Sequence, residues 1–245
     1  MRIRLNVRLL IGTLLVLALA GTGIHFLHAY QIKRNAGLLL KQVDRAVEEG
    51  KPDLAATLLD WYLTFEPTDT EALAKHGLLL EKLARTPAAR DRAILKLEDA
   101  LRRDPGRTDV RYRLAICLLS QGKARYPAAI KHLQALQPVW PEPGEIEHTI
   151  GWSLQGLGDY PQAVEWFRKA IAKSPSRLAS YAIQAEILKE QLDQAEEADQ
   201  VMDQMVAANA NWHRAYLERA RFRQKAGQVK EADQDIARGL ELAPE

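Results

Sequence analysis

Six histidines, one cysteine and a few paired acids are the residues of this chain with chemistry to offer. His25 and His28 stand one helical turn apart, a spacing at which two imidazoles can hold a haem or a metal. The competing reading places both near a membrane interface, neutral and hydrated. His76, His132, His148 and His213 share no common spacing, and no His-Glu-x-x-His run is present to form a zinc site. Cys117 would need exposure and a neighbouring base to act as a nucleophile. Flanked by Ile116 and Leu118, it reads instead as a small buried hydrophobe. A lone cysteine also forms no intrachain disulfide and no multi-cysteine metal site. Glu48-Glu49 and Glu196-Glu197 read as solvated helix faces rather than an acid–base pair. Gly156-Leu157-Gly158 falls at a turn between helices and not between a strand and a helix, so it is no phosphate loop. The expectation is a protein with no catalytic, cofactor-binding or metal residues, and not an enzyme.

The elements that would position any other function are helical. The chain has 245 residues, 47% of them apolar and only 7% aromatic. Ala and Leu dominate the apolar set, and straight-chain residues lose little rotamer freedom in a helix. The net charge of +2 offers no electrostatic case for nucleic acid. No small-molecule substrate is expected either.

Residues 1–8 form a basic tail with Arg2, Arg4 and Arg8, and Leu9 to Tyr30 carry no Asp, Glu, Lys or Arg. A helix over these roughly 22 residues would be about 33 Å long, enough to cross a bilayer core. One reading is a cleaved signal peptide, with Ala18-Leu19-Ala20 as the small-residue site before Gly21. The other is a retained transmembrane anchor over residues 9–30, with Tyr30 at the interface. The anchor is expected, because the apolar character continues through Ile24, Phe26 and Leu27, which a cleaved signal does not need. The arginines at the start place the N-terminus inside, although Lys33, Arg34, Lys41 and Arg45 reduce the asymmetry. The remainder is then extracytoplasmic, in a periplasm for example, on a single-pass anchor.

From residue 31 onward the sequence repeats itself. The clearest unit, 144–177, holds Gly151, Leu154, Gly158, Asp159, Tyr160, Ala163, Phe167, Ala170 and Pro175. In this unit, in 36–69 and in 213–245, a turn glycine (Gly158, Gly50, Gly227) lies 17 residues before a closing proline (Pro175, Pro67, Pro244). A small residue (Ala163, Ala55, Ala232) lies 12 before it and a large one (Phe167, Leu59, Ile236) 8 before it. Pro67, Pro105, Pro141 and Pro175 are 38, 36 and 34 apart. Unit 70–107 carries about four extra residues around Arg85-Thr86-Pro87, and unit 108–143 about two near Arg125. Unit 178–212 lacks both the turn glycine and the closing proline. This pattern resembles the tetratricopeptide repeat, whose period is about 34 residues. The resemblance covers about six units, nearly everything after residue 30. It implies an all-α fold: a right-handed superhelical solenoid of about six helix pairs, preceded by one N-terminal transmembrane helix. Small residues let the two helices of a pair approach closely, and stacking of neighbouring pairs buries faces that no pair can bury alone.

The resemblance also implies that the first helix of each pair lines a concave surface that binds peptide or protein partners. The outward positions there are Leu78, Tyr112, Ile116, His148 and Trp152, then Glu186 and Lys189, then Arg214, Arg221 and Lys225. The expected groove is apolar and aromatic in its middle and basic at its C-terminal end. Aromatic anchors supply contact energy and arginine meets acidic groups. The competing reading makes Tyr112, Ile116 and Trp152 ordinary packing between helices. Some peptide-binding members clamp a terminal carboxylate with Lys and Asn on the first two helices. Here those helices carry Leu40, Asp44, Ala74 and Leu78, so that clamp is missing. In the final helix Val229, Ile236 and Leu240 form a stripe that needs partial cover, from the unit's own first helix, a partner or further chain. The function expected is a membrane-tethered protein-interaction scaffold. The alternative is the recruiting or regulatory arm of a larger enzyme or envelope-assembly system.

Overall fold

The computed structural model describes residues 7–243; before Arg34 it describes the side chains of Leu17, Leu19, Ala20, Thr22, Tyr30 and Gln31 alone. All regular structure among the described residues is helical. The chain divides into two compact units, Met1–Pro105 and Gly106–Glu245.

The first unit holds α1 (Val7–Glu48), α2 (Pro52–Phe65), α3 (Thr70–Leu83) and α4 (Pro87–Arg103). Helix α2 packs against α1 and α3, and α4 packs against α3. Helix α1 runs unbroken, so no loop separates the apolar Leu9 to Tyr30 stretch from the first helix of the first repeat. Among the described residues, no helix is long and apolar enough to cross a membrane. Most side chains of that stretch, those of His25 and His28 included, lie outside the described residues.

Buried Ala55, Leu59 and Tyr62 recur at helical spacing and form the inner stripe of α2. The Tyr62 hydroxyl donates to Asp69 Oδ2 at 2.6 Å. The same Asp69 caps α3, accepting from the Ala72 amide at 3.0 Å. One carboxylate therefore ties the end of one repeat to the start of the next. Gly77 shows why a small residue sits midway along α3. A Cβ there would lie 2.8 Å from Leu97 Cδ2 and 3.1 Å from the Leu97 backbone nitrogen. The extra residues expected around Arg85-Thr86-Pro87 do not form a long loop. Thr86 caps α4 and Pro87 begins it, so α4 absorbs them by running to 17 residues against 14 in α2.

The second unit holds α5 (Thr108–Ser120), a 3-10 turn (Lys123–Arg125), α6 (Tyr126–Leu136), α7 (Glu145–Leu157), α8 (Tyr160–Lys173), α9 (Leu178–Glu190), α10 (Ala195–Ala208), α11 (His213–Lys225) and α12 (Val229–Leu242). The two extra residues near Arg125 are taken up by the three-residue 3-10 turn. Helices pair in sequence, α5 with α6 through α11 with α12, and the pairs stack through α6 on α7, α8 on α9 and α10 on α11. The core runs through these layers, with Leu133, Ile150, Phe167, Tyr181 and Met202 all buried. A Cβ on Gly151 would sit 3.2 Å from three atoms of the Phe167 ring.

The Gly158-Asp159-Tyr160 turn divides its work. Gly158 closes α7 in the left-handed region at φ 83°. Asp159 caps α8 by accepting from the Gln162 amide at 3.3 Å. The unit without a turn glycine makes the same turn with Asp193, at φ 54° and five residues before Ala198, as Gly158 is before Ala163. Where its closing proline is missing, Asn209 donates from Nδ2 to the carbonyls of Met205 and Pro175, each at 2.9 Å. On α12, Val229 and Leu240 are exposed and Ile236 is half-buried, so most of the expected stripe is uncovered.

Candidate partner-binding surface

In the first unit, Leu78 lies half-buried on α3. Asp44, at a position of the absent carboxylate clamp, pairs with Lys75 at 2.6 Å. Trp61 and Phe65 on α2 are exposed and flank an apolar cavity of about 470 Å3 with Leu38 and Leu39. The sequence reading missed this patch because it sought partner contacts on the first helix of each pair, and Trp61 and Phe65 lie on a second helix.

The other candidates lie on the first helices of the second unit, and they divide into two kinds. Tyr112 on α5 is half-buried and fully engaged. Its ring stacks on Trp140 with centroids 4.3 Å apart, and its hydroxyl donates to Glu145 Oε1 at 2.6 Å. Burial, and then the hydrogen bond to Glu145, push this hydroxyl up to about 12. Ile116 is half-buried on the same helix. His148 on α7 places Nδ1 2.9 Å from Ser180 Oγ of α9 and its ring edge-on to Phe167. Burial, and then the positive charge of Arg177, hold its imidazole below the usual histidine range. Tyr112 and His148 thus each tie their helix to a neighbouring element.

Trp152 is different: 43% of it is exposed. Its ring tilts against Tyr126 at 5.7 Å. A cavity of about 360 Å3 opens beside it, lined by Tyr126, Tyr160, Gln155, Gly156 and the α9 carboxylates Glu186 and Glu190, with Lys123, Ile187 and Gln191 completing the lining. Gly156 makes this arrangement possible. A Cβ there would fall 2.6 Å from Tyr126 Cε2, so only a bare backbone lets the tyrosine slide under α7. Tyr126, Gly156 and Glu190 were not among the expected site residues. Gly156 was read with Gly158 as part of a turn, whereas it lies in the last turn of α7, and nothing in the local pattern tells which ring it admits.

The basic end is balanced by acids. Lys225 pairs with Glu186 at 2.6 Å and Arg221 with Glu218 at 2.8 Å. Lys189 lies over the Phe222 ring, 4.9 Å from its centroid. Arg219 and Arg223 converge on buried Asp235 and also reach Asp203. Arg214 is exposed. Cys117 is a buried thiol, 4% exposed. Among the described residues, no group of His, Cys, Asp and Glu could hold a metal ion.

A family profile described as tetratricopeptide repeat matches residues 28–211. The chain belongs to the tetratricopeptide repeat family. Domains of this family generally bind protein partners, and its proteins are typically non-catalytic scaffolds. Among solved structures, the C-terminal part of a repeat-containing protein from Cytophaga hutchinsonii superposes with a TM-score of 0.65 at 17% identity, over 85% of this chain and 84% of that one. MamA 41-end from Desulfovibrio magneticus RS-1 gives 0.58 at 20% identity, over 71% of this chain and 95% of that one. A further MamA crystal structure gives 0.60 at 19% identity, over 72% and 92%. At these identities the likeness shows a shared fold. No curated protein sequence matches this tetratricopeptide repeat chain.

Proposed function

We propose that this protein is a membrane-tethered interaction scaffold that seats a partner segment against the first helices of its second unit, with Trp152 as the central anchor. One observation carries the reading. Trp152 stays 43% exposed beside an open cavity of about 360 Å3, whereas Tyr112, Ile116 and His148 are half-buried. Tryptophan supplies a large rigid contact area and dominates binding energy where it can be desolvated. Arg214 and Arg221 on α11 then serve as flanking contacts, with Tyr112, Ile116 and His148 setting the helix spacing beneath; Leu78, in the first unit, is a separate candidate contact.

The tether is the Leu9 to Tyr30 stretch. It holds no charged residue, is flanked by arginines before and Lys33 and Arg34 after, and leaves Leu17, Leu19 and Tyr30 exposed. In this reading it is a retained single-pass anchor and the repeats lie outside the cytoplasm.

The test uses the intact chain with a C-terminal tag. Protease is added from outside the membrane, and in parallel the untreated chain is purified with its bound proteins. The expected outcome is loss of the tag to protease and a defined partner that no longer co-purifies with Trp152→Ala, while the helical circular dichroism is retained. A protected tag overturns the orientation. A partner retained in full by Trp152→Ala overturns the anchor role.

A further inference from the structure

We infer that the cavity beside Trp152 receives a basic side chain, an arginine above all, from the partner segment. This rests on the proposed partner-binding surface and gives it a charge. It reverses the expectation that basic residues of this protein would meet acidic groups of the partner.

The cavity walls have the composition that holds a cation. Trp152, Tyr126 and Tyr160 contribute rings, and Glu186 and Glu190 stand one turn apart on α9. A cation over an aromatic face is attracted by the ring quadrupole, and the attraction grows as water is excluded. A guanidinium adds a planar surface that stacks on Trp or Tyr and a fork that matches a carboxylate. The same chemistry occurs three times inside this unit, with Lys189 over Phe222, Lys169 over Trp166 and Arg219 over Tyr216 at 4.9, 4.1 and 5.9 Å from the ring centroids. The Trp152 ring faces the cavity and Tyr126 instead.

The charge balance supports the same occupant. Lys123 is the lining's single cation against the two carboxylates. Glu186 is held by Lys225, but that pair is exposed on both sides, 65% for the lysine and 41% for the glutamate. Such an exposed pair is worth little and can be exchanged. An incoming arginine would take Glu186 from Lys225, reach Glu190 and lay its guanidinium against Trp152. An acidic side chain would meet two carboxylates in a concave site.

The test selects a displayed library of random short peptides on the full chain in detergent, then measures the selected peptide by fluorescence anisotropy. The expected result is an enriched sequence with an arginine, and a loss of about tenfold or more in affinity when that arginine is replaced by citrulline. Glu186→Gln with Glu190→Gln is expected to lower affinity by a similar factor. Lys225→Met, which removes the competing cation, is expected to raise it. A purely structural role for these acids gives no such gain. Selection of peptides without a basic residue, no selection, or equal binding of the citrulline peptide overturns the inference. If Trp152→Ala abolishes binding while the glutamine variant and Lys225→Met leave it unchanged, the surface stands and its charge assignment falls. If none of the variants matters, both fall.

Discussion

Tyr112 donates its hydroxyl to Glu145 Oε1 at 2.6 Å, and the Trp140 indole stacked on the same ring donates to Glu145 Oε2 at 2.7 Å. One carboxylate thereby joins α5, the α6–α7 loop and the first turn of α7. The Tyr112 hydroxyl is raised to about 12 by burial and by Glu145. Its contribution to stability is complete below its unfolded value near 10 and is lost as pH rises through about 12.

Tyr112→Phe removes a hydrogen bond to a charged acceptor and is expected to cost about 1–2 kcal/mol at neutral pH. It is also expected to flatten part of the stability loss between pH 10 and 12. Tyr62 and Tyr181, also raised by burial, keep the rest. Urea unfolding of the full chain in detergent at both pH values measures this. An unchanged midpoint at neutral pH would mean that Glu145 finds another donor.

Gly151→Leu tests the close approach of α7 and α8. Even the first added carbon lies 3.2 Å from the Phe167 ring, which is fully buried. Overpacking of this kind costs about 1–3 kcal/mol. The expected outcome is a lower thermal midpoint with helical content retained below it. A variant as stable as the parent would show that Phe167 can turn aside.

Asp193 occupies the left-handed region at φ 54°, where its side chain is tolerated and a β-branched one is not. Asp193→Val is expected to lose about 1–2 kcal/mol, and Asp193→Gly little or nothing, since Gly50, Gly158 and Gly227 fill this role in three other repeats. Chemical denaturation of the pair gives the order. Equal loss in both would mean that the aspartate carboxylate, not its backbone, holds the turn.

His76, His132 and His148 are each held below the usual histidine range, first by burial and then by a nearby Lys or Arg. Groups with a depressed folded value stabilise the fold above the unfolded value, near 6.5, and lose that contribution as pH falls. Stability is therefore expected to decline below about pH 6.5. His148→Gln, which can still meet Ser180, is expected to reduce the decline. Unfolding midpoints at pH 7.5 and 5.5 compare the two proteins. A decline of the same size in the variant would assign it to His76 and His132.

Much of the fold was readable because its signals are local. A turn glycine such as Gly50, Gly158 or Gly227 and a small residue such as Gly151 or Ala163 act within a few residues or on the partner helix of the same pair. Even the degenerate unit 178–212 carries a small Ala198 and a large Met202 where the preceding unit has Ala163 and Phe167, although Asp193 gave no sign that it would stand in for a glycine. The candidate surface was less readable. The repeat resemblance places Tyr112 and Trp152 among the outward positions of first helices. It does not say that a tryptophan from an irregular loop, Trp140, covers one of them.

The sequence by itself determined the helix pairs, their turns and the small residues at their contacts, because helix period, capping and backbone sterics depend on residues close in the chain. Tertiary structure decided which outward-facing groups remain available. Lys225 meets Glu186 across 39 residues of sequence, His148 meets Ser180 across 32, and Tyr126 enters beneath Trp152 through the gap at Gly156. Those partners lie one or more repeats apart, so their meeting depends on how the layers stack, and only the packed chain shows that Trp152 is left open while Tyr112 is not.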